Sequence, residues 1–194
     1  MIRRLLTIAH SCVLGVNRRL AHELARPGGG QGAVPAGAPD RVVGQNDIRP
    51  LAFERIDGEP VEVRILKARL TGRVHLFHYE RKLRSILREG WDLVHAWEEP
   101  YITAGLQISR GLSRGVPLVF RTAQSLNKRY PPPFNWIERY SVGRMSGWIC
   151  SGTLVETNLL RRPGYAGRTI GAKGRYDDFR IVPRDLTLPE PTGD

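Results

Sequence analysis

The chain is poor in the residues from which metal centres and disulfide frameworks are built. Its 194 residues include two cysteines, Cys12 and Cys150, which lie far apart and form no Cys-x-x-Cys or Cys/His spacing. Neither a structural zinc site nor a disulfide-stapled fold is therefore predicted, and reduced thiols in a cytoplasmic protein are the simplest expectation. Because no Asp-x-Asp pair is present either, we expect no metal ion and no other cofactor.

Long apolar runs are also missing. No stretch approaches the roughly 18–20 consecutive apolar residues that a membrane-spanning helix needs. The start, MIRRLLTIAHSCVLGV, begins like a signal peptide, but His10 and Ser11 interrupt the apolar run and no clean cleavage site follows. No Gly-x-Gly-x-x-Gly follows the first apolar run, which argues against a dinucleotide-binding domain. The sequence thus predicts a soluble cytoplasmic protein, and peripheral contact with the inner face of the membrane stays open.

Lysine is scarce, although the chain is strongly basic. Thirty basic residues, of which four are lysine, stand against 19 acidic residues and give a net charge of +11. This balance favours anionic partners such as nucleic acid, membrane headgroups or phosphorylated substrates. The arginine excess, together with abundant glycine and proline, is equally typical of coding from a GC-rich genome. Without a helix-turn-helix, zinc or RNA-recognition signature, no nucleic-acid partner is expected.

Apolar runs alternate with helical periodicities along most of the chain. Strands are predicted at residues 5–9, 42–43, 61–66, 92–96, 116–120 and 147–150. A helix is predicted behind the first strand, where Val16, Leu20 and Leu24 recur every fourth residue. Further helices are predicted at residues 79–89, 102–109, 134–145 and 153–162. Such alternation indicates an α/β fold, a single doubly wound, Rossmann-like parallel sheet with helices on both faces.

Two segments interrupt this alternation. Residues 27–40 (PGGGQGAVPAGAPD) are predicted to form a loop, because glycine and proline dominate them. The regular pattern fails again after Gly164, and residues 186–194 resemble a Pro-rich tail. We therefore predict one domain over residues 1–167, followed at residues 168–194 by an irregular connection and that tail.

Polar side chains cluster where the predicted strands end. They are His10, Ser11, Gly15 and Asn17 after the first strand, Trp97, Glu98 and Glu99 after the fourth, Arg121, Thr122, Gln124 and Ser125 after the fifth, and Ser151 after the sixth. In a doubly wound sheet, ligands bind beyond the carboxyl ends of the strands, near the point where the strand order reverses. We therefore expect these residues to converge on one edge of the sheet.

Several of these candidates also have a purely structural interpretation. His10 and Ser11 would equally satisfy backbone groups at a strand end, and Asn17 would serve as a helix cap. Ser151 is placed to cap the helix that follows it. His95 lies within a predicted strand, where a lone histidine is more often a packed core residue than a catalyst. For these residues the sequence leaves both interpretations open.

The charged candidates are harder to explain structurally. Glu98 and Glu99 are adjacent carboxylates at a strand end, where one would open the next helix and suit its dipole. The other would then accept hydrogen bonds from substrate hydroxyls. Lys128 lies in a basic loop before three prolines and either holds an anionic group or belongs to a solvated run of charge.

Three segments resemble a known family. They are HSCVLGVNRRLAHELA near the start, VHAWEEPYITAGLQ, and PLVFRTAQSLNKRYPPPFNWIERYSVGRMSGWICSG. They are similar to the N-terminal, acceptor-side domain of family-4 glycosyltransferases of the GT-B fold, over roughly residues 3–167. The family resemblance implies a two-domain enzyme. Its first domain receives the acceptor and its second holds a nucleotide-diphosphate sugar, with metal-independent transfer that retains the anomeric configuration.

The resemblance also assigns roles to the strand-end residues. It implies that Glu98 and Glu99 are catalytic, because well-placed carboxylates stabilise the positive charge that glycosyl transfer builds at the anomeric carbon. It implies substrate-binding roles for Gly15, Asn17, Thr122 and Gln124. From their positions in or beside the strand ends, His95, Lys128 and Ser151 join the predicted substrate-binding set. The partners expected are a glycan or lipid-linked sugar acceptor, and a nucleotide sugar if a C-terminal domain is supplied.

The sequence departs from the family pattern after residue 167. A short strand is expected at residues 169–170 or 180–182, followed by a second domain that binds the nucleotide sugar, but the sequence ends at Asp194. We therefore expect little or no transferase activity from this polypeptide alone. A non-catalytic module that binds an anionic glycan or glycolipid is the main alternative, and a basic nucleic-acid-binding protein is a weaker one.

Overall fold

The structure, a computed structural model, describes residues 4–26, 34–43, 49–124, 128–160, 167–175 and 181–192. Its strands are β1 (Leu5–Ile8), β2 (Ala36–Pro39), β3 (Arg41–Val42), β4 (Leu51–Ala52), β5 (Val63–Leu66), β6 (Ala68–Arg69), β7 (His78–Tyr79), β8 (Leu93–Ala96), β9 (Leu118–Thr122), β10 (Gly147–Cys150), β11 (Gly167–Arg175) and β12 (Ile181–Thr192). Its α-helices are α1 (Arg19–Ala25), α2 (Lys82–Ile86), α3 (Thr103–Gly111), α4 (Phe134–Arg144) and α5 (Thr153–Leu160). Two 3-10 turns, His10–Val13 and Gly15–Arg18, lead from β1 into α1.

Eight of these strands form one sheet in the order β12-β11-β10-β9-β8-β1-β2-β5. The strands from β5 to β11 run parallel, and β12 pairs antiparallel with β11. Read from β5 to β10, the order is the 3-2-1-4-5-6 arrangement of a doubly wound sheet, which reverses direction between β1 and β8. The predicted Rossmann-like α/β fold is confirmed.

Apolar side chains fix the central strands from both sides. Leu6 and Ile8 of β1 join a large core with residues of α2, α3 and α4, including Leu83, Ile108 and Val142. On the opposite face, a smaller core combines Leu5 of β1 with α1 and β2. Strands of a parallel sheet are buried on both faces, so a continuous apolar run such as that of β1 is what they require.

Strand β2 shows that the prediction of a loop over residues 27–40 is wrong for its last part. Residues 36–39, with the sequence AGAP, form a fully buried strand between β1 and β5. A Cβ atom added to Gly37 would lie 3.3 Å from Cγ1 of Ile8, so a small residue is favoured beside the packed β1. Composition alone indicates a turn here, whereas the tertiary packing selects small residues for a different reason. Residues 27–33 lie outside the described part of the chain.

Two further predictions are corrected. Val16 does not belong to a buried helical face, because it lies in the second 3-10 turn with 73% of its surface exposed and α1 begins only at Arg19. The irregular structure predicted after residue 167 is wrong for the backbone described there, because β11 and β12 pair with each other and extend the sheet from β10. Hydrogen bonding to an available sheet edge, instead of an apolar period, organises these residues.

Candidate functional site

A cleft of about 430 Å³ lies at the carboxyl edge of the sheet, where β1, β8 and β9 end. Predicted strand-end residues form much of its lining, namely His10, Ser11, Trp97, Glu98, Glu99, Arg121 and Gln124, and Lys128 of the predicted basic loop joins them. The remaining wall is largely apolar and includes Phe77, Tyr101 and Ile102. Residues scattered over more than a hundred positions therefore meet at the point where the strand order reverses, as the topology requires.

Glu98 and His10 form a close pair at the base of this cleft. The His10 backbone N–H donates to Oε1 of Glu98 over 2.6 Å, and His10 Nδ1 lies 2.7 Å from Oε2. Residue Glu98 is 1% exposed, whereas the side chain of His10 is 46% exposed. The negative charge of Glu98 raises the pKa of His10, and the hydrogen bond between them adds to this effect, while burial opposes it.

Tyr79 completes the environment of the buried carboxylate. Its hydroxyl donates to Oε1 of Glu98 over 2.7 Å, so the two carboxylate oxygens accept three hydrogen bonds in all. Burial, and then the charge of Glu98, raise the pKa of Tyr79 well above its usual value. The phenol therefore remains a neutral donor. Glu98 thus acts on the cleft through His10, which presents its imidazole to solvent.

Glu99 anchors the neighbouring loop instead of sharing the role of Glu98. Its Oε2 accepts a hydrogen bond from the Thr122 hydroxyl over 2.6 Å, and its Oε1 accepts one from the backbone of Ala123 over 3.1 Å. The Thr122 oxygen in turn accepts from the Gln124 backbone, and the Gln124 side chain donates to the Tyr130 hydroxyl. This chain of hydrogen bonds sets the end of β9 against the end of β8.

Gly15 and Asn17 do not line the cleft. The Gly15 N–H donates to Oε2 of Glu54 over 2.5 Å, and the Asn17 amide donates to the Ser11 carbonyl over 2.8 Å. A Cβ atom on Gly15 would lie 2.4 Å from Cδ1 of Ile56. Both residues therefore stabilise the two 3-10 turns and the segment packed over them. Nor does Asn17 cap α1, whose N-cap residue is Arg18.

His95 and Ser151 also have structural partners. His95 is 4% exposed, and its Nδ1 lies 3.5 Å from the Thr7 hydroxyl. Burial, and then the charge of Arg121, lower the pKa of His95 to about 4. It does not line the cleft, so the core interpretation applies to it. The Ser151 hydroxyl donates to the Thr122 carbonyl over 3.0 Å and ties the end of β10 to the end of β9.

Sequence reasoning missed two features of the cleft. It did not place His10 among the substrate-binding or catalytic residues, because its partner Glu98 is 88 positions away. It also missed the stacking of Arg121 on Trp97, whose ring centroid lies 3.6 Å from the guanidinium carbon. A signal for the second was present, because Trp97 and Arg121 are each the first residue after a predicted strand, and the register pairs the residues before them, Ala96 and Phe120.

Other reactive groups in the described part of the chain offer no competing centre. Burial raises the pKa of Cys12 to about 12 and that of Cys150 to about 11, so neither is a ready thiolate nucleophile. Within the described ranges, no three His, Cys, Asp or Glu side chains are arranged to hold a metal ion. In those ranges, too, every helix is too short or too polar to cross a membrane.

Comparison of the chain with models of protein families, with curated proteins and with solved structures finds no match.

Proposed function

We propose that this chain is the acceptor-binding side of a glycosyltransferase, and that His10 receives the acceptor hydroxyl in the cleft. The observation that carries the proposal is the His10–Glu98 pair, which lies where the strand order reverses and exposes its imidazole to a cleft. Ligands bind at this position in doubly wound sheets. A histidine oriented by a buried carboxylate is an arrangement suited to accepting a proton or a hydrogen bond from a hydroxyl group.

The buried carboxylate sets the chemistry of the imidazole. Because Glu98 accepts a hydrogen bond from Nδ1 of His10, the neutral ring carries its proton on Nδ1 and offers the lone pair of Nε2. Among the described residues, Nε2 of His10 has no hydrogen-bond partner. An acceptor hydroxyl that donates to Nε2 becomes a better nucleophile. As its oxygen bonds to the anomeric carbon, the bond from that carbon to the nucleotide diphosphate breaks, the diphosphate leaves, and the hydroxyl proton passes to Nε2 of His10. Positioned acid–base groups of this kind contribute about 10²–10⁴-fold to reaction rates.

The remaining lining suits a sugar. Phe77 and Tyr101 supply aromatic surface against which the C–H faces of a pyranose ring can pack. Glu99 and Gln124 supply polar groups to the same lining, because a carboxylate and an amide form hydrogen bonds with hydroxyl groups. Such a mixture of aromatic walls and few polar groups is typical of small-molecule sites.

Transfer also needs a binding surface for the nucleotide-diphosphate sugar. In the proposal a second domain supplies that surface and faces the cleft across an interdomain gap, as the family resemblance implies. The donor sugar is then chosen by that domain, and the present chain chooses the acceptor. No metal ion enters the proposed reaction, in which amide, hydroxyl and carboxylate groups stabilise the developing charges.

A binding module for an anionic glycan is the second candidate, because Arg121 and Lys128 line the same cleft. The two proposals differ in what they require of His10. A binding module needs only the shape and charge of the cleft, whereas transfer needs a neutral imidazole with Nε2 available.

The deciding experiment is a transfer assay. The full chain is incubated with nucleotide-diphosphate sugars and methyl glycosides of glucose, mannose, galactose and N-acetylglucosamine, alone and with a supplied C-terminal domain of a family-4 enzyme. We expect product with the supplied domain, and a loss of about a hundredfold or more in His10→Gln. His78→Gln, outside the cleft, is the matched control and should retain wild-type rates. Glycan binding without transfer would favour the binding module, and full activity in His10→Gln would refute the role of the imidazole.

A further inference from the structure

Arg121 occupies a prepared position in the cleft. Arg121 lies within β9, and Trp97 is the first residue after β8. The two are neighbours because the register pairs the residues immediately before them, Phe120 and Ala96. The guanidinium carbon lies 3.6 Å from the centroid of the indole ring. Trp97 in turn packs against the buried Ala9 and Cys12. The planar cation is thus laid on a fixed aromatic surface, an arrangement that restricts its orientation.

This cation has no anionic partner in the described part of the chain. Its guanidinium forms neither a hydrogen bond nor an ion pair there, although the carboxylates of Glu98 and Glu99 line the same cleft. Both carboxylates are engaged elsewhere, Glu98 with His10 and Glu99 with Thr122. Burial lowers the pKa of Arg121, because partial enclosure disfavours the charged form. A half-buried cation without a counter-charge is costly unless a ligand supplies one.

The chemistry of that ligand follows from the shape and charge of the site. A guanidinium presents two parallel N–H groups that match the oxygens of a phosphate or carboxylate. One further basic group, Lys128, lines the cleft. Two cationic groups around one cleft suit the double charge of a phosphate monoester better than the single charge of a carboxylate.

We infer that Arg121, laid on Trp97, is the anion subsite of the cleft and binds the phosphate group of a phosphorylated acceptor. This inference rests on the proposed function and names its substrate class. The phosphate is carried either by a soluble sugar phosphate or by a lipid-linked acceptor, because both present the same group to the guanidinium. With the phosphate fixed at Arg121, the sugar ring lies against the aromatic wall and its hydroxyl groups are within the same cleft as His10.

The test is a binding titration of the full chain, followed by NMR shifts of the Arg121 Nε–H and the Trp97 indole N–H. The probes are glucose, glucose 1-phosphate, glucuronate and farnesyl phosphate. We expect glucose 1-phosphate to bind more tightly than glucose and glucuronate. Tighter binding of farnesyl phosphate than of glucose 1-phosphate would indicate a lipid-linked acceptor, and weaker binding a soluble sugar phosphate. Arg121→Met should weaken binding of the phosphate esters by about tenfold to a hundredfold and leave glucose unaffected. Arg121→Lys should also weaken phosphate binding, because a lysine keeps the positive charge but lacks the two parallel N–H groups of the guanidinium.

Two further variants make the result specific. Trp97→Leu should weaken phosphate binding without removing any charge, and Arg139→Met, an exposed arginine of α4 outside the cleft, should bind like the wild type. Circular dichroism confirms that each variant is folded. Equal losses in Arg121→Met and Arg139→Met, or tighter binding of glucuronate than of glucose 1-phosphate, would overturn the inference. Phosphate binding at Arg121 without any transfer would support the anion subsite and contradict the proposed function. Transfer that Arg121→Met leaves unaffected would support the proposed function and contradict the anion subsite.

Discussion

The buried His95 should make the protein lose stability in mild acid. The unfolded chain binds a proton at this residue near its usual pKa of 6.5, whereas burial and the charge of Arg121 hold the folded pKa at about 4. As the pH falls from 6.5 to 4, the unfolded state therefore gains a proton that the folded state cannot accept, and stability decreases. At about 1.4 kcal/mol per pKa unit the full loss is about 3 kcal/mol, of which about 2 kcal/mol should be reached by about pH 4.5.

The perturbation that isolates this effect is His95→Leu. This variant removes the titrating ring and also Nε2, a buried atom without a hydrogen-bond partner in the described structure. Urea denaturation at about pH 7 and about pH 4.5 should show that wild type loses about 2 kcal/mol more than His95→Leu. Thr7→Val, which removes the neighbouring hydroxyl and keeps the histidine, should behave like the wild type. Parallel losses in wild type and His95→Leu would refute the core assignment of His95.

Three further predictions concern the cleft. Glu98→Ala should lower the free energy of unfolding by about 3–5 kcal/mol, because it leaves buried donors unpaired. Glu99→Ala should lower it by about 1–2 kcal/mol. Similar losses for the two variants in urea denaturation would contradict the different roles of the two carboxylates. Because Glu98 raises the pKa of His10, their pairing should stabilise the wild type below about pH 6.5, and this stabilisation should fade as the pH rises through the raised pKa. A difference in the free energy of unfolding between wild type and His10→Gln that grows with pH would contradict this. Gly105→Ala should destabilise by about 2 kcal/mol or more, since the new Cβ would lie 2.4 Å from the Glu99 carbonyl, whereas Gly143→Ala in α4 meets no atom within 4 Å and should be neutral or stabilising in thermal melts.

The fold could be predicted from the sequence because its central strands carry their own signal. The apolar run of β1 is buried throughout, that of β8 nearly so and that of β9 at alternate residues, and helical periods separate them. Strand β2 could not be predicted in this way, since its sequence AGAP has no apolar period and is shaped by contact with Ile8. The pairing of β11 with β12 likewise depends on an open sheet edge that no local pattern reveals.

The cleft could be predicted as a place but not as a set of interactions. Topology alone brings the ends of β1, β8 and β9 together, so Glu98 and Gln124 were expected near each other. The different roles of the cleft residues could not be predicted, because they depend on which side chains the fold buries. Glu98 is buried and orients His10, whereas Gly15 turned out to hold the β1 connection through Glu54. Sequence spacing contains no information on these long-range contacts.

The most direct test of the proposed site is the imidazole ¹⁵N spectrum of His10 during titration with the four methyl glycosides. We predict that the neutral ring carries its proton on Nδ1, towards Glu98, and that a bound glycoside shifts Nε2 of His10 together with the amides of Ala123 and Gln124. A proton on Nε2 in the neutral ring would contradict the proposed orientation of His10. Glycoside binding that leaves the His10 ring unchanged, or no glycoside binding at all, would contradict the assignment of this cleft to a sugar acceptor.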